Sequence, residues 1–293
     1  MRRWWSIAKA TALEILSEPL SLLLLIAALT LATLAPALHY HQFGEPTRMA
    51  RDAGLSSLFT CGLLVAVFGT VRTFRREIET GTAQMALAHP VSRTGFFLAK
   101  TVGAASAAAF FSAIVFLTAL TVVNGAAIGG GIAEKTGDQA KIWGPSFAVG
   151  IGTIVLPLLV AALLNRFARC RFVLTAFLFA GLTAVAGLAL RPSPALAARL
   201  VPAGALVFVF SLVFLSASAA VAVRLKANGA TAVAAVLFVL LLPVIGNYYL
   251  PDALSNGGSL PVGYVALAVC AAVPAIMAFL LVGIHLFNGK DVG

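Results

Sequence analysis

Ten carboxylates, four histidines and three cysteines are the side chains that could serve as acids, bases, nucleophiles or metal ligands in this 293-residue sequence. Their spacing assembles none of these. His39 and His41 form a His-x-His pair without a further Cys, His or carboxylate at useful spacing, and His89 and His285 stand alone. A metal site needs several convergent donors, so no metal is expected. Cys61, Cys170 and Cys270 are odd in number, and two of them fall inside apolar runs, which implies no disulfide framework. There is no Gly-x-x-x-x-Gly-Lys-Ser/Thr segment to cradle nucleotide phosphates, no His-Glu-x-x-His and no Gly-x-Ser-x-Gly. No catalytic residue can be named, and the chain is not expected to be an enzyme.

The elements that would position any site are apolar. With 61% hydrophobic and 10% charged residues and a mean hydropathy of +1.02, the chain carries more apolar surface than one soluble core can bury. It reads as an all-α polytopic membrane protein, one membrane domain over residues 1–293 with no separate soluble module. Eight runs have the length of membrane spans: Leu20 to Leu38, Leu55 to Val71, Phe96 to Val123, Phe147 to Leu164, Phe172 to Leu190, Ala203 to Val223, Ala230 to Ile245 and Val262 to Phe287. The stretch RPSPALAARLVP between the fifth and sixth could instead belong to a re-entrant element, giving six spans plus that element. Either count is even and puts both termini on one side.

Lys and Arg in short loops resist translocation. With the N-terminus inside, 14 of the 20 basic residues are cytoplasmic, and only Arg48, Arg51, Lys135, Lys141, Arg191 and Arg199 face outward. The net charge of +10 is then that of loops facing anionic lipid headgroups. No folded basic module is present to bind nucleic acid. Glu45, Asp52, Glu134, Asp138 and Asp252 fall in outer loops, Glu77, Glu79 and Asp291 in inner ones, and Glu14 and Glu18 near the N-terminus, so no carboxylate lies in mid-membrane. Ion-driven carriers usually place such groups there, and their absence puts the energy source outside this chain.

The N-terminal segment MRRWWSIAKATALEILSEPLSLLLL has too long a polar lead, including Glu14 and Glu18, for a cleaved signal peptide. Trp4, Ile7, Ala8, Leu13, Ile15 and Leu16 alternate with Arg3, Lys9, Glu14 and Glu18 at helical spacing. Residues 1–19 therefore read as an interfacial amphipathic helix ended by Pro19. An extension of the first membrane helix fits the same residues.

Between the second and third runs stands REIETGTAQMALAHPVSRTGFFLAK, residues 76–100. Arg72, Arg75 and Arg76 end the second span, and Glu77 and Glu79 add an acidic patch. Thr80-Gly81-Thr82 breaks the helix, and Thr82 can cap the short run AQMALA. Pro90 stops that run, and Ser92 caps the next helix, which enters the membrane through Phe96 and Phe97. The result is a stubby surface helix offering Met85 and Leu87 for contact, a docking knob rather than a catalyst. A solvated connector is the alternative.

The pattern Glu79-x-Gly81-Thr82-x4-Leu87-x2-Pro90-x-Ser92-Arg93-x6-Lys100 resembles the segment between the second and third spans of type-2 ABC-transporter permeases. The opening IAKATALEILSEPLSLLL is similar to that family's amphipathic helix with a Pro before the first span. Together they cover about 50 residues. Ala99 stands where a Gly usually precedes the Lys, and eight spans exceed the family's usual six. The resemblance implies that residues 72–100 form a coupling-helix segment seated on a cytoplasmic P-loop ATPase subunit. Glu77, Glu79 and Arg93 would be its polar contacts, Met85 and Leu87 its knob, and Gly81, Thr82, Pro90 and Ser92 would set its shape. It further implies no cofactor in this chain, ATP and Mg being bound by the ATPase. The implied partners are a second permease chain, as homo- or heterodimer, and membrane lipid. The implied location is a prokaryotic cytoplasmic (inner) membrane, multi-pass, with both termini cytoplasmic.

The substrate-binding residues remain unknown at this level. The spans offer mainly Ser and Thr as polar groups, which usually bond their own helix backbone. That lining suits a lipid-like or hydrophobic substrate, with a hydrophilic polymer or pure force transmission as alternatives. Pro157, Pro243 and Pro274 are expected to kink their spans. Gly129-Gly130-Gly131 and Asn256-Gly257-Gly258 read as flexible outer loops. A non-transporting structural subunit of a larger membrane complex is the rival function. A membrane enzyme would need a cluster of reactive groups at one depth, which the sequence lacks.

Overall fold

A computed structural model describes residues 2–34, 46–80, 92–136, 140–190, 194–224 and 262–289. Among them every regular element is a helix: α1 (Arg2–Leu16), α2 (Pro19–Leu34), α3 (Pro46–Glu79), α4 (Arg93–Thr136), α5 (Ala140–Gly150), a π turn (Ile151–Val155), α6 (Leu156–Ala168), α7 (Phe172–Leu190), α8 (Pro194–Arg224) and α9 (Val262–Asn288). Among the described residues six stretches are long and apolar enough to cross a bilayer: Thr47–Glu77, Arg93–Gly129, Gly144–Ala168, Phe172–Leu190, Ala197–Val223 and Val265–Asn288. The chain is an all-α polytopic membrane protein. The helices suit that solvent, because in hydrocarbon each backbone polar group must be satisfied within its own segment.

The expected break at Pro19 is present. α1 ends at Leu16, α2 starts at Pro19, and the pair is bent by 62°. Pro fits the first turn of a helix and cannot continue the preceding one. Among the described residues α2 reaches spanning length together with α1, as a bent pair. The stretch considered for a re-entrant element is helical from Pro194 onward and forms the opening of α8, so Phe172–Leu190 and Ala197–Val223 are separate full-length spans. The expected span Ala230 to Ile245 lies outside the described residues, as do Pro243, Asn256-Gly257-Gly258, His39 and His41.

Gly129-Gly130-Gly131 corrects the sequence expectation: the three glycines belong to α4 rather than to a loop. Each disfavours helix by about 1 kcal/mol relative to Ala. No Pro interrupts the run, however, and a helix already nucleated over nine turns extends one hydrogen bond at a time. Pro157 gives a different outcome from a simple kink. It has no N–H for the Thr153 carbonyl and its ring crowds that oxygen. The turn before it widens, and Leu156 N–H bonds back to the Ile151 carbonyl, five residues away. α5, the π turn and α6 thus remain one span.

The chain divides into two compact units, and α3, α4 and α8 contribute residues to both. The first comprises Met1–Ile15, Leu63–Ala109 and Phe208–Gly293. Its core joins Val71, Phe74, Phe96, Phe97, Ala219, Ala222, Val223 and Phe287. α1 sets Ala8, Thr11 and Ile15 inward at helical spacing while Trp5 stays exposed. Its seat depends on Gly103 of α4: a Cβ there would collide with the Ala8 carbonyl oxygen and stand 2.8 Å from Thr11 Cβ. The apolar side of α1 is therefore covered by protein.

The second unit comprises Leu16–Gly62 and Phe110–Val207. Phe111 and Phe177 meet at 6.3 Å between ring centroids, and α6 and α7 form a tight helical hairpin. Its connection bends at Arg169, in the left-handed region at φ 52° and ψ 30°. An L-residue with a side chain is disfavoured there by about 1 kcal/mol relative to Gly. All three cysteines are free thiols.

Gly103→Ala is expected to destabilise the protein by about 2 kcal/mol through overpacking against α1. Gly144→Ala, where nothing lies within 4 Å of the new Cβ, should be neutral or stabilising by about 0.5–1 kcal/mol. Thermal unfolding in detergent, with Trp4 and Trp5 fluorescence reporting on α1, reads both.

Candidate functional site at the foot of α3 and α4

The segment flagged by its sequence leaves α3 at Glu79 and rejoins helix at Arg93. The residues between Thr80 and Ser92 lie outside the described part of the chain, so Gly81, Thr82, Met85, Leu87 and Pro90 have no structural account here. The stem is described. Thr80 ends α3, its N–H and hydroxyl both donating to the Arg76 carbonyl, at 2.9 and 2.7 Å. Ser92 acts as the expected N-cap: its Oγ accepts the Gly95 N–H at 3.1 Å and its carbonyl accepts the Phe96 N–H at 2.9 Å.

Two turns into α4 stands Lys100, with 0% of its surface exposed. An isolated ammonium in such a place costs several kcal/mol, and the surroundings show what compensates. Nζ lies 2.7 Å from Glu77 Oε2 and donates to the Thr73 carbonyl at 3.0 Å. Glu77 Oε2 finds no donor in hydrogen-bonding geometry, so charge rather than a directed bond holds that contact. The Phe74 and Phe96 rings lie 5.2 and 5.8 Å from the ammonium, within cation–π range. Both belong to the aromatic cluster in which Phe97 meets Phe74 at 5.3 Å and Phe287 at 6.1 Å.

Further charges ring the stem. Arg75 pairs with Glu79 at 2.7 Å along α3, and Arg76 reaches Glu14 of α1 at 3.4 Å. Arg93 donates to the Asn288 carbonyl at 3.3 Å, placing a cation at the C-terminus of α9, where the helix dipole favours one. Of the flagged residues that are described, Glu79, Ser92 and Arg93 are exposed, whereas Glu77 is turned toward Lys100. The stem thus ties the foot of α3 to the start of α4, and through Glu14 and Asn288 it reaches α1 and α9.

Sequence reasoning placed Lys100 only as the last member of a pattern. Its role as a buried cation was missed. The available signal was a lysine inside the apolar run FFLAKTVGAA with a glutamate at the end of the preceding span, since a charge that enters an apolar helix needs a partner. What the arrangement shows among the described residues is a charge pair and hydrogen bonds that hold helices to one another. The chain matches no family model, no curated protein and no solved structure.

The two partners differ in their access to water, and this sets an asymmetry. Glu77→Gln leaves a fully buried ammonium without its counter-charge and should cost about 3–5 kcal/mol. Lys100→Met leaves Glu77, 27% exposed, able to turn toward solvent, while the Met packs among the phenyl rings, so its cost should be smaller. Unfolding of each variant in detergent measures the difference. Equal losses would mean that the pair is not governed by the burial of Lys100.

Proposed function

We propose that this multi-pass membrane protein is the permease subunit of an ATP-driven ABC exporter, seated in a prokaryotic cytoplasmic membrane with both termini inside. A separate cytoplasmic P-loop ATPase hydrolyses ATP, and this chain converts closure of the ATPase into movement of its helices. The observation that carries the reading is the stem of residues 73–100. A segment with the permease-like pattern leaves one span and enters the next, and a buried ion pair joins the two spans beneath it. A knob docked on an ATPase needs such a base, because a push on a loose loop would be absorbed by the loop.

Closure of the ATPase would act as a rigid-body switch driven by differential nucleotide binding. Two permease chains would pair in the membrane above two ATPases. A lipid-like or hydrophobic substrate is favoured by the hydroxyl groups inside the spans. Thr33 donates to Leu29 O, Thr70 to Ala66 O, Thr101 to Phe97 O, Thr118 to Ile114 O and Thr183 to Phe179 O. Each is spent on its own helix, which leaves the faces of those helices largely apolar.

The test is a pull-down of the tagged chain from its native membrane in mild detergent, with identification of co-purifying proteins and an ATP hydrolysis assay. Recovery of a P-loop ATPase is expected, with loss of at least tenfold in the Glu79→Lys/Arg93→Glu variant, whose two exposed charges are reversed. Recovery of the chain with other membrane proteins but no nucleotide-binding partner would support the structural-subunit reading instead.

A further inference from the structure

The corner between α6 and α7 carries Arg166, Arg169 and Arg171, all exposed. Among the described residues no hydrogen bond or ion pair engages any of the three guanidinium groups, and the sequence has no Asp or Glu between Asp138 and Asp252. Arg169 adds an independent observation. It is the sole non-glycine residue with positive φ among the described residues, in a position where Gly is the usual choice after a helix. Its side chain is present against the preference of its backbone, yet nothing among the described residues engages its guanidinium group.

The same corner ends an apolar surface. Leu159, Leu163 and Phe167 of α6 are 56%, 55% and 82% exposed, and Leu178 and Leu182 of α7 are 56% and 63% exposed. These two spans are among the least covered by protein, with 17% and 22% of their most apolar windows buried. Three cations without counter-ions among the described residues therefore stand at the end of a span-length apolar face. We propose that this corner binds an anionic phospholipid, the arginines holding the headgroup phosphate and Phe167 and Leu163 lying along an acyl chain. A soluble acidic protein would match the charge and leave Phe167 uncovered. A symmetric second copy would set the same arginines against their own counterparts, and inorganic phosphate would make no use of the apolar strip. The proposal does not depend on the permease reading.

The test uses the full chain, delipidated in detergent and titrated separately with phosphatidylglycerol and phosphatidylcholine, with bound lipid counted by native mass spectrometry. Phosphatidylglycerol should be retained at least tenfold better, on the scale of roughly fivefold per arginine near the headgroup. The preference should weaken at high salt. Arg166→Gln/Arg171→Gln should remove most of it. Arg169→Gly should reduce it while the melting temperature holds or rises, which separates lipid loss from misfolding. Phe167→Ser should weaken both lipids alike. An unchanged lipid ratio in the double variant would overturn the proposal. So would displacement of the lipid by inorganic phosphate at equal concentration, or loss of a dimer rather than of lipid on removing the arginines.

Discussion

A charge cannot be left alone in an apolar interior, and at the foot of α3 and α4 that constraint governs its surroundings. Lys100 is wholly buried, so a carboxylate and a carbonyl must be held at its ammonium, and both come from α3, as Glu77 and the Thr73 oxygen. These contacts fix the register of the two helices more narrowly than apolar packing could, since Phe and Val surfaces tolerate a slide of an ångström and a 2.7 Å ion pair does not. The aromatic cluster follows from the same requirement. Phe74 and Phe96 present their faces to the cation, and Phe97 and Phe287 fill the space behind them.

Such a pair is a weak source of net stability. Replacing a buried ion pair by apolar residues of similar size is often neutral or better, and the phenyl-rich setting would accept a Met. Its gain over an apolar contact is a specific partner for each charge, with the Lys100 bond to the Thr73 carbonyl adding direction. Two helices joined by charge keep a defined relation when a force is applied to the chain between them, which is the property that a docking segment needs from its stem.

Much of the fold was legible because the bilayer leaves a strong record in sequence. The break at Pro19, the Ser92 cap, the back-bonded threonines and six of the long apolar runs each follow from one local rule and are found among the described residues. The rest depends on partners distant along the chain. Lys100 reads as an ordinary residue at the start of a span until Glu77, 23 positions earlier, is brought beside it. Nothing in the pattern around Gly103 says that the Ala8 carbonyl will lie against it. Gly129-Gly130-Gly131 misled because the glycines were weighed by intrinsic propensity, whereas a helix already formed extends one hydrogen bond at a time.

Burial also separates the spans into two kinds. The most apolar windows of Thr47–Glu77 and Arg93–Gly129 are 72% and 67% buried within the protein, whereas that of Val265–Asn288 is only 11% buried. The two well-buried helices carry the charge pair, a feature that requires a fixed neighbour. The exposed ones carry Leu, Val and Phe on open faces, which lipid tails satisfy as well as any side chain would. Association without a hydrophobic driving force rests on close packing and polar contacts, so definition in this protein concentrates where those occur. The segment with the permease-like pattern leaves the first of these two well-buried helices and rejoins the second.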